Sequence, residues 1–187
     1  MKQTVIIYGL IAGAVVSAFM STTMLIYASD KTFDTGISSM IVGYLGMLLA
    51  FTFIFVAVKS YRDKQNNGTI TFGKALGIGL LISLFASSLY VITWAIVYNT
   101  FLPDYMDRYS AAMAAEAKAT LSGPTLQAKL DELRKAKEMY ATPVGFTLFT
   151  YAEILPVGIL VSLVAALVLR KRKKVVVVPQ HHMSNAL

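Results

Sequence analysis

Cysteine is missing from this chain, which excludes disulfides, thiolate metal sites and a cysteine nucleophile. Histidine is nearly missing. The two present, His181 and His182, are adjacent near the C-terminus and lack the i, i+4 spacing that sets two imidazoles on one helical face. Charged side chains are scarce as well, at 14% against about 25% in soluble proteins. No glycine-rich phosphate loop precedes a helix with the required lysine and hydroxyl. Asn66-Asn67-Gly68 is a turn signal, and Gly73, Gly77 and Gly79 suit helix contact better than nucleotide binding. Within the apolar stretches, no serine or threonine has a base to activate it except Glu153. These absences leave little room for catalysis, and neither a cofactor nor a metal is expected.

Apolar sequence fills the space that charge vacates. Hydrophobic residues make up 56% of the 187, and the mean hydropathy is +0.62. Four long runs carry most of it: 5–28, 37–58, 71–102 and 144–169. Each meets the length of about 20 residues needed to cross a hydrocarbon core of about 30 Å. The first run follows Lys2 in the manner of a signal peptide, but it exceeds the usual apolar core of such a peptide and more spans follow. It reads as a retained helix. The fold class is therefore an all-α integral membrane protein, a four-helix bundle forming one membrane domain over 1–174. A short tail, 175–187, has no helical period.

Charge between the spans sets the orientation. Ser29–Gly36 holds Asp30, Lys31 and Asp34, a net of −1. Lys59–Lys74 holds Lys59, Arg62, Lys64 and Lys74 against Asp63, a net of +3. The segment 103–143 is neutral, and Arg170-Lys171-Arg172-Lys173-Lys174 closes the fourth span. Positive loops stay in the cytoplasm, so both termini and the second loop face in. Basic residues at those positions, Arg62, Lys64, Lys74 and 170–174, suit anionic headgroups or a cytoplasmic partner. The net charge of +7 therefore points to lipid and not to nucleic acid, for which no reader motif is present.

The outward segment between spans three and four is too long to be structureless, and 104–141 reads as a helical hairpin. Pro103 stops the third span, and Asp104 is placed to cap the next helix. Ser122-Gly123-Pro124 breaks the hairpin in two. In its second helix Leu126, Leu130, Leu133 and Tyr140 recur at helical spacing. That stripe is expected to pack on the first hairpin helix or the mouth of the bundle, with a protein partner as the sharper alternative.

Small residues at four-residue spacing mark close helix approach in lipid. They recur as Gly9, Gly13 and Ser17, as Ser39 and Gly43, as Gly73 and Gly77, and as Ser83 and Ser87. Trp94, Tyr98, Tyr105 and Tyr151 fit an outer aromatic belt. Glu153 is the one ionisable side chain well inside a span. A carboxyl at such depth costs on the order of 2.5–3.5 kcal/mol and marks a functional site by default. Pro156, three residues on, removes a backbone donor and crowds the carbonyl of Ala152. Thr22, Thr23 and Thr93 lie at comparable depth and would complete a polar pocket. Its simplest role is interhelical glue; the sharper one is a proton, cation or headgroup site.

Several segments resemble a bacterial family called domain of unknown function 4199. They are Tyr8-Gly9-Leu10-Ile11-Ala12-Gly13, Tyr61-Arg62-Asp63-Lys64, Asn67-Gly68-Thr69-Ile70-Thr71-Phe72-Gly73-Lys74-Ala75, Pro103-Asp104-Tyr105 and Glu153-Ile154-Leu155-Pro156-Val157-Gly158. The resemblance covers nearly the whole chain and implies a small multi-span protein of the bacterial inner membrane; it lends no activity. The expected role is structural or accessory, through lipid headgroups and a protein partner or a second copy. An oligomeric ion- or proton-coupled transporter using Glu153 and Pro156 is the alternative.

Overall fold

In the computed structural model, residues 1–29 and 37–171 are described. Six α-helices run in the order α1 (Lys2–Ser29), α2 (Ile37–Ser60), α3 (Phe72–Phe101), α4 (Tyr105–Thr120), α5 (Gly123–Tyr140) and α6 (Pro143–Leu169). A π-helical turn, Tyr61–Gln65, extends α2. The acidic first loop, Arg172, Lys173, Lys174, the histidine pair and the valine-rich tail lie outside the described residues.

Helices α1, α2, α3 and α6 are long and apolar enough to cross a membrane, and the protein is a multi-pass membrane protein. Their outward faces carry bare Ile7, Leu10, Leu45, Leu49, Leu160 and Val168. In water such a surface would aggregate; in lipid it is the correct solvent contact.

Local chemistry sets the ends. The Thr71 hydroxyl accepts from the Lys74 amide at 3.4 Å to start α3, and Thr142 accepts from the Gly145 amide at 3.0 Å to start α6. Asp104 stands at the N-cap of α4, but its side chain makes no capping bond. Asn67 and Gly68 both take positive φ, 53° and 72°, forming the tight turn before α3.

α3 is the most enclosed span, with half of its apolar window buried against 28% for α6. It packs on α1 and on α6, and α2 closes the ring against α1 and α6. Glycine contacts give the directions. A Cβ built on Gly9 would meet Phe85, and one on Gly13 would meet Leu89 and Ala86, so α1 and α3 run parallel. Gly79 faces Ser162 and Gly158 faces Ser83, so α3 and α6 run antiparallel. The Ser83 and Ser162 hydroxyls meet at 3.1 Å in the buried centre.

Three glycines depart from the small-residue reading. Nothing lies within 4 Å of a Cβ built on Gly43, Gly73 or Gly77. Small residues permit close approach without compelling it, and the contact face of α3 toward α6 instead runs through Gly79 and Ser83.

Candidate functional site

The half of the bundle beneath the hairpin holds a cavity of about 60 Å³ lined by Met20, Met24, Tyr90, Trp94, Tyr105, Tyr140 and Glu153. Its walls come from α1, α3 and α6, and its roof from the hairpin helices α4 and α5. α1 and α6 sit on opposite flanks of α3, and the cavity occupies the groove left between them. Glu153 is about ten residues, or about 15 Å, below the start of α6. Its side chain is exposed at this opening and makes no hydrogen bond or ion pair among the described residues.

The roof is held by aromatic contact. Trp94 Nε1 donates to the Tyr140 hydroxyl at 2.6 Å, and the Thr150 hydroxyl lies at the same phenol. Trp94 meets Tyr105 edge to face at 5.1 Å and 82°. Tyr98 touches Trp94, Tyr105, Tyr140 and Phe146. Edge-to-face pairs of this kind add about 0.5–1.5 kcal/mol each beyond area burial. Burial pushes the Tyr105 and Tyr140 phenols above the ordinary tyrosine value. A Lys137–Asp107 ion pair at 2.5 Å joins the two hairpin helices on their exposed side.

The structure sorts the sequence-predicted residues. Glu153 lies at the cavity, whereas Thr22, Thr23 and Thr93 do not line it. Thr22 is exposed, Thr93 is half-buried, and Thr23 donates to the Phe19 carbonyl of its own helix at 2.8 Å. Equal depth does not give equal azimuth: each residue turns about 100° around a helix, so Trp94 and Thr93 face different ways. Pro156 sits inside an unbroken α6, exposed and away from the cavity. Tyr140 turns inward from the hairpin stripe to the roof, while Leu126, Leu130 and Leu133 are half-buried on α5, which packs on α4 and α6. Of the predicted belt, Trp94, Tyr98 and Tyr105 enter the cluster, and Tyr151 bonds the Ser88 hydroxyl at 2.8 Å.

Met20, Met24 and Tyr90 went unmarked in the sequence. Their signal is the i, i+4 spacing of Met20 with Met24 and of Tyr90 with Trp94, both in the C-terminal half of a span.

At the end of the bundle away from the hairpin the basic residues divide. Arg62 is engaged: it pairs with Asp63 at 2.7 Å and donates to the Leu169 carbonyl at the end of α6, 3.2 Å away. Lys74 stands 5.2 Å over the Tyr61 ring and 3.4 Å from Asn66 Oδ1. The Ile70 and Lys171 backbones exchange two hydrogen bonds of 2.9 Å, tying the second loop to the chain beyond α6. Gln65 donates to the Thr4 hydroxyl at 2.9 Å and ties the same loop to α1. Lys64, Arg170 and Lys171 remain exposed at this surface.

Among the described residues no three of His, Cys, Asp and Glu come together. A family model described as a protein of unknown function (DUF4199) matches residues 7–171. No curated protein and no solved structure matches the chain.

Proposed function

The chain belongs to the DUF4199 family of proteins of unknown function, and we propose that it is a non-enzymatic accessory protein of the bacterial inner membrane that works by binding. In this reading both termini are cytoplasmic. The outer hairpin and the cavity beneath it form the recognition face, and Lys64, Arg170 and Lys171 rest on anionic headgroups. A protein partner or a second copy engages the outer face.

The filled interior below Glu153 carries the reading. Ile154, Ser83, Ser162, Ile82, Ile78 and Ile54 have no exposed surface. A transporter needs a hydrated path from its ion site to the other side; here close-packed side chains occupy that route within one chain. A pocket roofed on one side and sealed on the other suits capture better than conduction.

A second reading, an oligomeric transporter or channel, is favoured by one observation: the Glu153 carboxyl is open to a cavity and not sequestered. Reconstitution separates the two. Liposomes containing the purified protein should show no proton, sodium or potassium flux above protein-free vesicles. Affinity purification from native membranes should return a defined partner that is lost when Tyr140 is replaced. Flux abolished by Glu153→Gln would overturn the binding role in favour of transport.

A further inference from the structure

We propose that the cavity at Glu153 is a receptor for a primary ammonium group, with the carboxylate as counter-ion and Tyr90, Trp94, Tyr105 and Tyr140 as its walls. The proposal rests on the binding role above and names the ligand chemistry of that site.

An unpaired carboxylate at this depth is costly, and a cation beside it offsets the cost. No basic side chain of the described residues pairs with Glu153, which lines the cavity. The walls suit a cation as well. Trp94 and Tyr105 stand nearly at right angles, 5.1 Å apart, and aromatic faces attract ammonium groups. Tyr90 is only 6% exposed, yet its hydroxyl has no hydrogen-bond partner among the described residues, and the residue lines the cavity. Its phenol oxygen is an acceptor for an N–H that this carboxylate leaves unused.

Size narrows the ligand. A volume of about 60 Å³ holds about two water-sized groups. The –CH₂–NH₃⁺ tip of an alkylamine fits and brings N–H donors for Glu153 and Tyr90, which a trimethylammonium group lacks. Access narrows the source. Glu153 is exposed at the half of α6 nearer the hairpin, within reach of a lipid headgroup of the outer leaflet. An ethanolamine headgroup and a free amine from outside share this chemistry.

Trp94 is the only tryptophan in the chain and lines the cavity, so its emission reports occupancy. The protein is placed in phosphatidylcholine nanodiscs and titrated with ethylammonium chloride, with tetramethylammonium, sodium, potassium and ethanol as controls. A saturable change in emission is expected with ethylammonium alone. Glu153→Gln should weaken it at least about tenfold, and Tyr90→Phe should weaken it less, with both variants keeping native helicity and elution. Nanodiscs of phosphatidylethanolamine distinguish the sources. A shifted emission that ethylammonium no longer changes identifies the lipid headgroup; an unshifted, titratable emission identifies a free amine.

No saturable response in either nanodisc, with no emission difference between the two lipids, overturns the proposal. So does equal affinity in the Gln variant, or a response matched by tetramethylammonium, sodium, potassium or ethanol. If any of these is found while liposomes stay flux-free and the partner is retained, the ligand assignment falls and the binding role stands.

Discussion

The Trp94 indole donates to the Tyr140 hydroxyl at 2.6 Å, joining the third span to the last turn of the helical hairpin. One residue belongs to the lipid-embedded bundle and the other to a helix outside it. The bond and the rings around it hold the hairpin over the Glu153 cavity.

Tyr140→Phe removes that hydroxyl and keeps the ring. Loss of one buried hydrogen bond should cost about 1–2 kcal/mol, concentrated in docking of the hairpin. Tryptic cleavage at Lys135 and Lys137 should become roughly tenfold faster while helical content stays unchanged. Equal cleavage rates in the two proteins would show that the bond does not hold the roof.

Packing at the bundle centre makes a sharper test. A Cβ on Gly158 would lie 2.7 Å from the Ser83 Cβ and 2.9 Å from Phe51. Gly158→Ala should therefore destabilise by about 1–3 kcal/mol, read as a lower thermal midpoint in detergent. Adding Ser83→Gly should recover part of the loss. Gly77→Ala, with nothing within 4 Å, should be neutral or slightly stabilising because alanine is the better helix former.

Arg62 and Lys64 are two residues apart but should behave differently. Arg62→Ala removes the pair with Asp63 and the bond to the Leu169 carbonyl, and should lower stability by about 1 kcal/mol. Lys64→Ala, at an exposed position, should leave the thermal midpoint unchanged. A larger loss at Lys64 would contradict this division of roles.

Alkali should act through the hairpin tyrosines. Burial raises the Tyr105 and Tyr140 phenols above their ordinary value of 10.0, so the folded state keeps protons that the unfolded chain releases. Below about pH 10 both states hold them and this contribution to stability is constant. Above it the unfolded state binds fewer protons, and stability falls as pH rises. Denaturation midpoints from pH 8 to pH 11.5 should be flat and then decline, with a gentler decline in Tyr105→Phe.

Orientation is directly measurable because the chain has no cysteine. A membrane-impermeant maleimide applied to intact cells should label Glu138→Cys on the hairpin and leave Asn67→Cys unlabelled until the membrane is opened. The reverse pattern would invert the proposed topology.

The boundaries of the spans were legible because each is a local property. The α3 run read as 71–102 forms a helix over Phe72–Phe101, and Thr71 caps it. Glu153 stood out for a similar reason, being an isolated carboxyl in an apolar run. Its neighbours did not stand out. Thr22, Thr23 and Thr93 share its depth but turn elsewhere, and methionine and tyrosine inside a span carry no mark of a site. Arg62 read as an exposed basic residue, and only the approach of α6 makes it a cap for Leu169.

What the sequence by itself determined is the number of spans, the hairpin between the third and fourth, and the charge asymmetry between the loops. In lipid each helix must satisfy its own backbone, so that information sits in consecutive residues. Only the tertiary structure decided which faces meet and which side chains surround Glu153. Lipid does not favour one apolar face over another, so azimuth is settled where glycine and serine surfaces such as Gly158 and Ser83 come into contact.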